Sequence, residues 1–168
     1  NHVKNTFQLF DLMSEMIDVL QDGHVNLYAP FDVSSCTGWF DSYPADYNAD
    51  FLSKHFDSEL RSAGGFAYTT IENGKIGYIR YSSFSNGFST TNLAYIDALF
   101  HEFNNTEGII IDVRNNGGGS LDYSKRLASC FFKEKTTTGY MQHKTSECHD
   151  CFSDPTPIVT DPKDAPID

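Results

Sequence analysis

The stretch Gly108-Ile109-Ile110-Ile111-Asp112-Val113-Arg114-Asn115-Asn116-Gly117-Gly118-Gly119 decides the fold class of this chain. Its first half is a short apolar run, which is typical of a strand buried on both faces of a sheet. Its second half is a polar, glycine-rich turn, and a helical pattern follows through Leu121, Leu127, Ala128 and Phe131. A buried strand, a glycine turn and a helix predict an α/β fold with a ligand site at the carboxyl end of the sheet.

A β-hairpin and a helix precede this strand in the sequence. Residues 66–71 and 76–81 flank Asn73-Gly74, a dipeptide that supplies the positive φ angles of a tight hairpin turn. A helical pattern at about 90–104 then leads into the strand at 109–113. We therefore expect strands 76–81 and 109–113 to be parallel neighbours, joined by a right-handed crossover.

The N-terminal residues 5–21 carry apolar side chains at spacings of three and four, which predicts an amphipathic helix. The apolar stripe is broad, so we expect most of this helix to be buried. Asn5 is placed to cap its start, with Gln8 three residues on. Gly23 is placed to end it in a left-handed conformation.

A second, weaker helical pattern spans 48–60, and Ser62-Ala63-Gly64-Gly65 then marks a boundary. The sequence therefore predicts a small helical subdomain at 1–62 and an α/β core at 63–168. The connection between the two helices is rich in aromatic residues, which either belong to the core or line a substrate cleft. They are Trp39, Phe40, Tyr43 and Tyr47.

Towards the C-terminus, residues 136–143 predict one more strand, whereas the rest of the chain to Asp168 shows no periodicity. This region holds His143, Cys148, His149 and Cys151. A Cys-x2-Cys pair with nearby histidines has the spacing of zinc ligands. The same pair also fits a disulfide or an ordinary loop, and the sequence leaves these alternatives open.

The charge and hydropathy of the chain exclude some classes of partner. The 168 residues include 23 Asp and Glu against 12 Lys and Arg, a net charge of −11, which repels nucleic acids. No apolar run approaches the roughly 18 residues needed to span a bilayer. We therefore expect no nucleic-acid partner and no membrane span in this chain.

The glycine turn is the strongest candidate for a site. Peptide N–H groups in such a turn, together with the dipole of the following helix, stabilise negative charge. That charge is either a phosphate or the oxyanion of acyl transfer. Gly119 is followed by Ser120-Leu121 rather than by the Lys-Ser/Thr of a phosphate-binding loop, and no Gly-x-Gly-x-x-Gly is present. The pattern favours the oxyanion.

A second candidate is His24, in the loop Asp22-Gly23-His24-Val25 just after the first predicted helix. A histidine in such a loop is either a general base or a purely structural residue. The residue type alone leaves both roles open.

Three segments of the chain resemble, in order and spacing, the tricorn branch of the C-terminal-processing serine peptidases. They are Leu20-Gln21-Asp22-Gly23-His24-Val25, Ile76-Gly77-Tyr78-Ile79-Arg80-Tyr81-Ser82-Ser83-Phe84 and the stretch 108–119. The resemblance covers roughly residues 5–145. It implies a small helical subdomain followed by a partial, ClpP/crotonase-like α/β sandwich that contains the hairpin and the parallel unit.

The resemblance also implies which residues take part in proteolysis. His24 matches the general base of the family, and the backbone amide of Gly117 or Gly118 matches its oxyanion hole. Arg114, Asn116 and Gly119 are the expected substrate-binding residues of the same turn. The nucleophilic serine and an acidic partner of the histidine are expected beyond Asp168, so the chain as given would be an inactive fragment.

The resemblance further implies a peptide or protein substrate, no cofactor, and a location outside the cytoplasm. An open sheet would expose an edge strand, through which homo-oligomers form. The alternative is a non-catalytic module on the same fold that binds a ligand or a peptide.

Overall fold

The computed structural model describes residues 3–36, 45–85, 87–88 and 92–163. The chain divides into two compact units, Asn1–Asp46 and Tyr47–Asp168. This division falls earlier than the boundary predicted after residue 62, because the strand Arg61–Ala63 pairs with the sheet of the second unit. Of the aromatic residues in the predicted connection, Trp39, Phe40 and Tyr43 lie outside the described residues.

The first unit begins with helix α1, Thr6–Asp18. Its predicted cap is confirmed: the side chain of Asn5 accepts a hydrogen bond from the Gln8 N–H at 2.9 Å. The side chain of Gln8 accepts in turn from the Lys4 N–H at 2.8 Å. The prediction that Gly23 ends the helix was wrong, because the residue in the left-handed region is Gln21, with φ +50°.

The prediction of a well-buried α1 was also wrong. Phe10 is its buried residue, whereas Phe7 is 61% and Met16 67% exposed. The described part of the first unit offers little to pack against, since α1 is followed by a short hairpin of strands β1, Tyr28–Ala29, and β2, Asp32–Val33. The ring of Phe31, in the hairpin turn, contacts the rings of Phe7 and Phe10, with centroids 4.4 and 5.5 Å away.

The second unit contains a four-stranded sheet in the order β3-β4-β5-β6. Its strands are β3 (Arg61–Ala63), β4 (Phe66–Ile71), β5 (Ile76–Arg80) and β6 (Gly108–Asp112). Strands β3, β4 and β5 pair antiparallel, and β5 pairs parallel with β6, as the sequence predicts. The expected burial of β6 on both faces was wrong: Ile109 and Ile111 pack against the core, whereas Ile110, which points to the opposite face, is 45% exposed. In the hairpin turn, Glu72, Asn73 and Gly74 all have positive φ. The carboxylate of Asp57 accepts the N–H groups of Asn73 and Gly74 at 3.0 and 2.7 Å.

Three helices accompany this sheet. They are α2 (Ala49–Ser53), α3 (Leu93–Glu102) and α4 (Leu121–Ser129). Helix α2 is shorter than the helix predicted at 48–60, and α3 makes the crossover from β5 to β6. A 3₁₀ turn, Phe103–Asn105, extends α3. A Cβ on Gly77 would lie 2.7 Å from the ring of Phe103, so a glycine in β5 is what lets this ring pack on the sheet. The core is formed mainly by aromatic and aliphatic residues of β4, β5, α3 and α4, among them Phe66, Ile79, Tyr81, Ile96, Leu99, Phe103 and Leu127.

A separate antiparallel pair joins β7 (Thr136–Met141) to β8 (Thr156–Thr160). Strand β7 confirms the predicted strand, whereas β8 was missed. Its sequence contains Pro157, and proline is a signal against a strand unless that strand lies at an edge. Among the described residues, no helix is long and apolar enough to cross a membrane. The α/β class with a parallel unit is confirmed.

Candidate functional site

The glycine turn connects the end of β6 to the start of α4. Three of its residues have positive φ: Asn115 at +58°, Gly118 at +80° and Gly119 at +136°. The last of these conformations is rarely adopted by a residue with a side chain. Positive φ at three of five successive positions bends the backbone between β6 and α4, and the three glycines, which have no side chains, leave main-chain groups exposed next to the first turn of α4.

The turn is bonded to the segment that continues β5. The N–H of Gly117 donates to the carbonyl oxygen of Ser82 at 3.1 Å. The N–H of Phe84 donates to the carbonyl oxygen of Gly118 at 2.7 Å. The N–H of Ser120 donates to the carbonyl oxygen of Phe84 at 3.0 Å. These bonds make a parallel bridge between Phe84 and Gly119. The turn is therefore a fixed extension of the sheet.

The three glycine amides differ in whether they are free. The Gly117 N–H donates to Ser82, and the Gly118 N–H donates to the side-chain oxygen of Asn116 at 2.7 Å. These are the two amides that the sequence resemblance assigns to the oxyanion hole. The N–H of Gly119 has no hydrogen-bond acceptor among the residues that the structure describes. In this conformation Gly119 carries the donor that is available to a ligand.

Asn116 holds the turn with both ends of its amide group. Its Nδ2 donates to the carbonyl oxygen of Tyr81 at 2.6 Å, while its Oδ1 accepts the Gly118 N–H. Asn116 was predicted to bind substrate, but in the structure its side chain is engaged in positioning the turn.

The carboxylate of Asp112, the last residue of β6, anchors the start of the turn. Its side chain is 2% exposed. It accepts four hydrogen bonds: from the hydroxyl of Tyr78 at 2.6 Å, and from N, Nε and Nη2 of Arg114 at 3.0, 2.9 and 2.5 Å. Arg114 in particular holds the pKa of Asp112 well below its usual range, while burial and this carboxylate raise the pKa of Tyr78. Asp112 is therefore ionised at neutral pH.

This network accounts for Arg114, another residue predicted to bind substrate. Two nitrogens of its guanidinium are engaged by Asp112, although its side chain is 45% exposed. Sequence reasoning missed the roles of Asp112 and Tyr78. The available signal was an acidic residue that ends an otherwise apolar strand, since a buried carboxylate needs charged or hydrogen-bonding partners.

His24 lies in the first unit, whereas Arg114, Asn116 and the three glycines lie together in the second. The side chain of His24 is 97% exposed. Its Nδ1 lies 3.1 Å from Oδ1 of Asp22, and its backbone N–H donates to the same oxygen at 2.9 Å. These two contacts lower the pKa of Asp22, the backbone bond most. With Nδ1 next to a carboxylate, Nε2 is the ring nitrogen without a hydrogen-bond partner among the described residues.

Cys148 and Cys151 form a disulfide in the loop between β7 and β8. The sequence left open a disulfide, a zinc site or an ordinary loop. Both sulfurs are bonded to each other, so neither serves as a thiolate ligand in this state. Cys36 and Cys130 are free, and Cys130 is buried.

Comparison with known proteins identifies relatives of this chain. Residues 75–163 match the model of peptidase family S41. The crystal structure of a candidate peptidase from Parabacteroides merdae ATCC 43184 matches with a TM-score of 0.80 and 38% sequence identity. The match covers 97% of this chain and 51% of that one, so this chain spans about half the length of that relative. No curated protein matches the chain.

Proposed function

The chain belongs to peptidase family S41, and from this we propose that it is the part of a serine-type peptidase that supplies the general base and one donor of the oxyanion hole. The observation that carries this proposal is the glycine turn. A fixed backbone, a free amide at Gly119 and the N-terminus of α4 lie together there.

The turn suits the chemistry of peptide hydrolysis. Attack on a peptide carbonyl creates a tetrahedral intermediate whose oxygen carries a negative charge. An amide that is already oriented, and has no internal acceptor to leave, stabilises that charge without reorganisation. Gly119 lies two residues before Leu121, the first residue of α4, so its amide is near the positive end of the helix dipole. Losing one such donor costs about a hundredfold in rate or more.

His24 is the proposed general base. Its Nδ1 lies next to the carboxylate of Asp22, so a proton on Nδ1 leaves the lone pair of Nε2 to take the proton of a nucleophile. The sequence resemblance places the acidic partner of this histidine beyond Asp168. The contact in the structure makes Asp22 the candidate for that role instead.

The nucleophile of this mechanism is a serine that the family resemblance places beyond Asp168. Removing the nucleophile of a serine peptidase lowers the rate by about a millionfold. We therefore propose that these 168 residues alone do not hydrolyse peptides, and that activity requires the natural-length protein.

The experiment that tests the peptidase function compares variants of the natural-length protein on a library of fluorogenic peptides. His24→Ala is expected to lose most of the hydrolysis rate while remaining folded. His149→Ala is the matched control, because His149 is equally exposed and also lies next to an aspartate, Asp150. Equal rates for the two variants would show that another group is the base.

A ligand-binding module is the second candidate function, and one cavity favours it. This cavity, of about 380 Å³, lies between α3 and α4. Its lining is mostly apolar and includes Phe88, Leu93, Ile96 and Cys130, with Arg126 and the ion pair Asp97–Lys163 beside them. If the parent protein cleaves no peptide offered, a screen of apolar ligands by thermal shift tests this alternative, and Ile96→Trp should abolish any ligand-induced shift.

We also retain two proposals about the setting of the protein. Disulfides persist in oxidising compartments, so the Cys148–Cys151 bond supports a location outside the cytoplasm. Labelling of free thiols in intact cells tests it, because a reduced pair would contradict it.

Strand β6 is an edge of its sheet, and Ile110 on it is 45% exposed. An exposed apolar edge strand favours self-association. A monomeric mass by light scattering would contradict that proposal.

A further inference from the structure

Arg80, the last residue of β5, lies against an aromatic ring beside the glycine turn. Its guanidinium carbon is 3.3 Å from the centroid of the Tyr47 ring. The guanidinium of Arg114 lies 5.8 Å from the same centroid. Both Arg80 and Tyr47 are half-buried. The stack leaves the edge of the Arg80 guanidinium, which carries its N–H donors, available to a planar acceptor.

The charge of Arg80 is not neutralised by an ion pair. Arg61 pairs with Glu102 and Arg114 with Asp112, but no carboxylate lies within 4.0 Å of Arg80 among the described residues. The contact of Arg80 that the structure shows, besides the ring, is a long hydrogen bond of 3.4 Å to the carbonyl oxygen of Arg114. Because Asp112 is already fully engaged, the cluster of Arg80, Arg114 and Asp112 keeps one positive charge in a chain whose net charge is −11.

The position of this charge connects it to the proposed oxyanion site. Arg80 pairs in register with Asp112 across the parallel strands. The two residues after Arg80 are Tyr81 and Ser82, whose carbonyl oxygens hold Asn116 and Gly117 of the turn. The amide of Gly119 lies at the bridge to Phe84, four residues after Arg80. Four residues of extended chain span about 13 Å, which is the reach of about four residues of a bound peptide.

We propose that Arg80 and Tyr47 form a carboxylate-binding subsite, so that the substrates of the proposed peptidase present a carboxylate within about four residues of the bond that is cut. The proposal rests on the function proposed above. An arginine held flat on an aromatic ring loses little side-chain freedom on binding, and its edge matches a carboxylate with two parallel hydrogen bonds. The carboxylate is either the C-terminus of the peptide or the side chain of an aspartate or glutamate, and the experiment separates these sources.

The test titrates the ¹⁵N-labelled chain with three N-acetylated alanine-based tetrapeptides and follows the Nε–H signals of arginine side chains by NMR. One peptide ends in a free carboxylate, one in an amide, and one in an amide with an internal aspartate. We expect one or both of the acidic peptides to shift the Arg80 signal and to bind about tenfold more tightly than the neutral peptide. The acidic peptide that binds identifies the source. Equal binding of all three peptides would overturn the subsite.

Variants show whether Arg80 itself makes the discrimination. Arg80→Gln should lose the preference for acidic peptides, and Arg80→Lys should keep only part of it, since lysine has the charge but not the two-pronged geometry. The matched control is Arg61→Gln. Arg61 is also stacked on a tyrosine, Tyr68, at 4.5 Å, but it already has a carboxylate partner. An unchanged preference in folded Arg80→Gln or Arg80→Lys would overturn the proposal.

Hydrolysis by the natural-length protein keeps this inference separable from the peptidase function. A protein that cleaves acidic and neutral peptides at equal rates, with no effect of Arg80→Gln, retains the peptidase function and loses the subsite. A protein that binds acidic peptides through Arg80 but cleaves none of them retains the subsite and loses the peptidase function.

Discussion

Replacing Gly119 by alanine should damage the turn far more than the same change two residues earlier. A Cβ on Gly119 would lie 2.4 Å from the carbonyl carbon of Phe84 and 2.6 Å from the nitrogen of Ser85. Both are main-chain atoms, which cannot rotate away as a side chain can. Gly119 also has a φ of +136°, a conformation that residues with a side chain rarely adopt.

The cost follows from what must move. A non-glycine residue in such a conformation is strained by about 1–3 kcal/mol. Relieving the contact separates the turn from Phe84 and so weakens the two backbone hydrogen bonds of the bridge, each of which contributes about 1 kcal/mol. We expect Gly119→Ala to lower the free energy of unfolding by about 3 kcal/mol or more. A Cβ on Gly118 would meet open space at a φ of +80°, so Gly118→Ala should cost only the strain, about 1–2 kcal/mol.

Gly117→Ala is the matched control, because a Cβ there meets no atom within 4 Å and the φ of Gly117 is not left-handed. Its effect should stay within about 0.5 kcal/mol. Urea unfolding followed by circular dichroism measures all three variants of the chain, provided the slope m is unchanged. The order Gly117, Gly118, Gly119 of increasing loss is required. Equal midpoints for Gly117→Ala and Gly119→Ala would refute this account of the turn.

Three further predictions concern buried groups of the second unit. Asp112→Asn keeps one acceptor oxygen but sets an NH₂ group against Nη2 of Arg114, so the free energy of unfolding should fall by about 2–4 kcal/mol. Asp154→Asn, at an exposed position, should change it by less than about 0.5 kcal/mol, and similar urea midpoints for the two variants would contradict this prediction. Because the folded-state pKa of Asp112 is depressed, the stability that its charge provides is complete above the ordinary carboxyl pKa of about 4 and is lost as the pH falls further. The difference in unfolding free energy between the parent chain and Asp112→Asn should therefore shrink in urea melts from about pH 5 down to about pH 2, and a constant difference would show that Asp112 does not titrate in this way. Gly77→Ala should destabilise the chain by about 1–3 kcal/mol, because the new Cβ would lie 2.7 Å from the ring of Phe103. The double variant with Phe103→Leu should recover part of that loss in thermal melts, and no recovery would place the destabilisation elsewhere.

Local sequence patterns predicted the elements whose structure depends on near neighbours. The dipeptide Asn73-Gly74 set the hairpin, and Asn5 with Gln8 capped the first helix. The apolar run at 109–113 predicted a strand parallel to 76–81, and the strand–turn–helix order placed the glycine turn at the carboxyl end of the sheet. Such features rest on backbone dihedral preferences and on side-chain periodicity, which are encoded over a few adjacent residues.

Features that depend on contacts between distant residues were missed or misjudged. The apolar stripe of α1 indicated burial, yet Phe7 and Met16 are exposed, because periodicity shows which face is apolar but not whether anything covers it. Strand β8 was missed because its partner, β7, lies far away along the chain and its own sequence contains a proline.

The same distinction applies to the candidate site. The sequence by itself determined that a glycine turn follows a strand, and that His24 lies in a loop after a helix. Only the tertiary structure decided that the amides of Gly117 and Gly118 have acceptors within the described part of the chain while that of Gly119 has none there. Those acceptors are supplied by Ser82 and by the orientation of the Asn116 side chain. The family-based assignment of the oxyanion donor to Gly117 or Gly118 stays a prediction, with Gly119 as the alternative.

The tertiary structure alone also decided which group lies against Arg80. Arg80 and Arg114 both follow apolar strand residues, but Asp112 lies two residues before Arg114, whereas Tyr47 lies far from Arg80 along the chain. The fold places Arg114 against the buried carboxylate of Asp112 and Arg80 against the ring of Tyr47. The electrostatic role of a charged residue depends on the charges and the solvent that surround it in three dimensions, and these are set only when distant segments pack together.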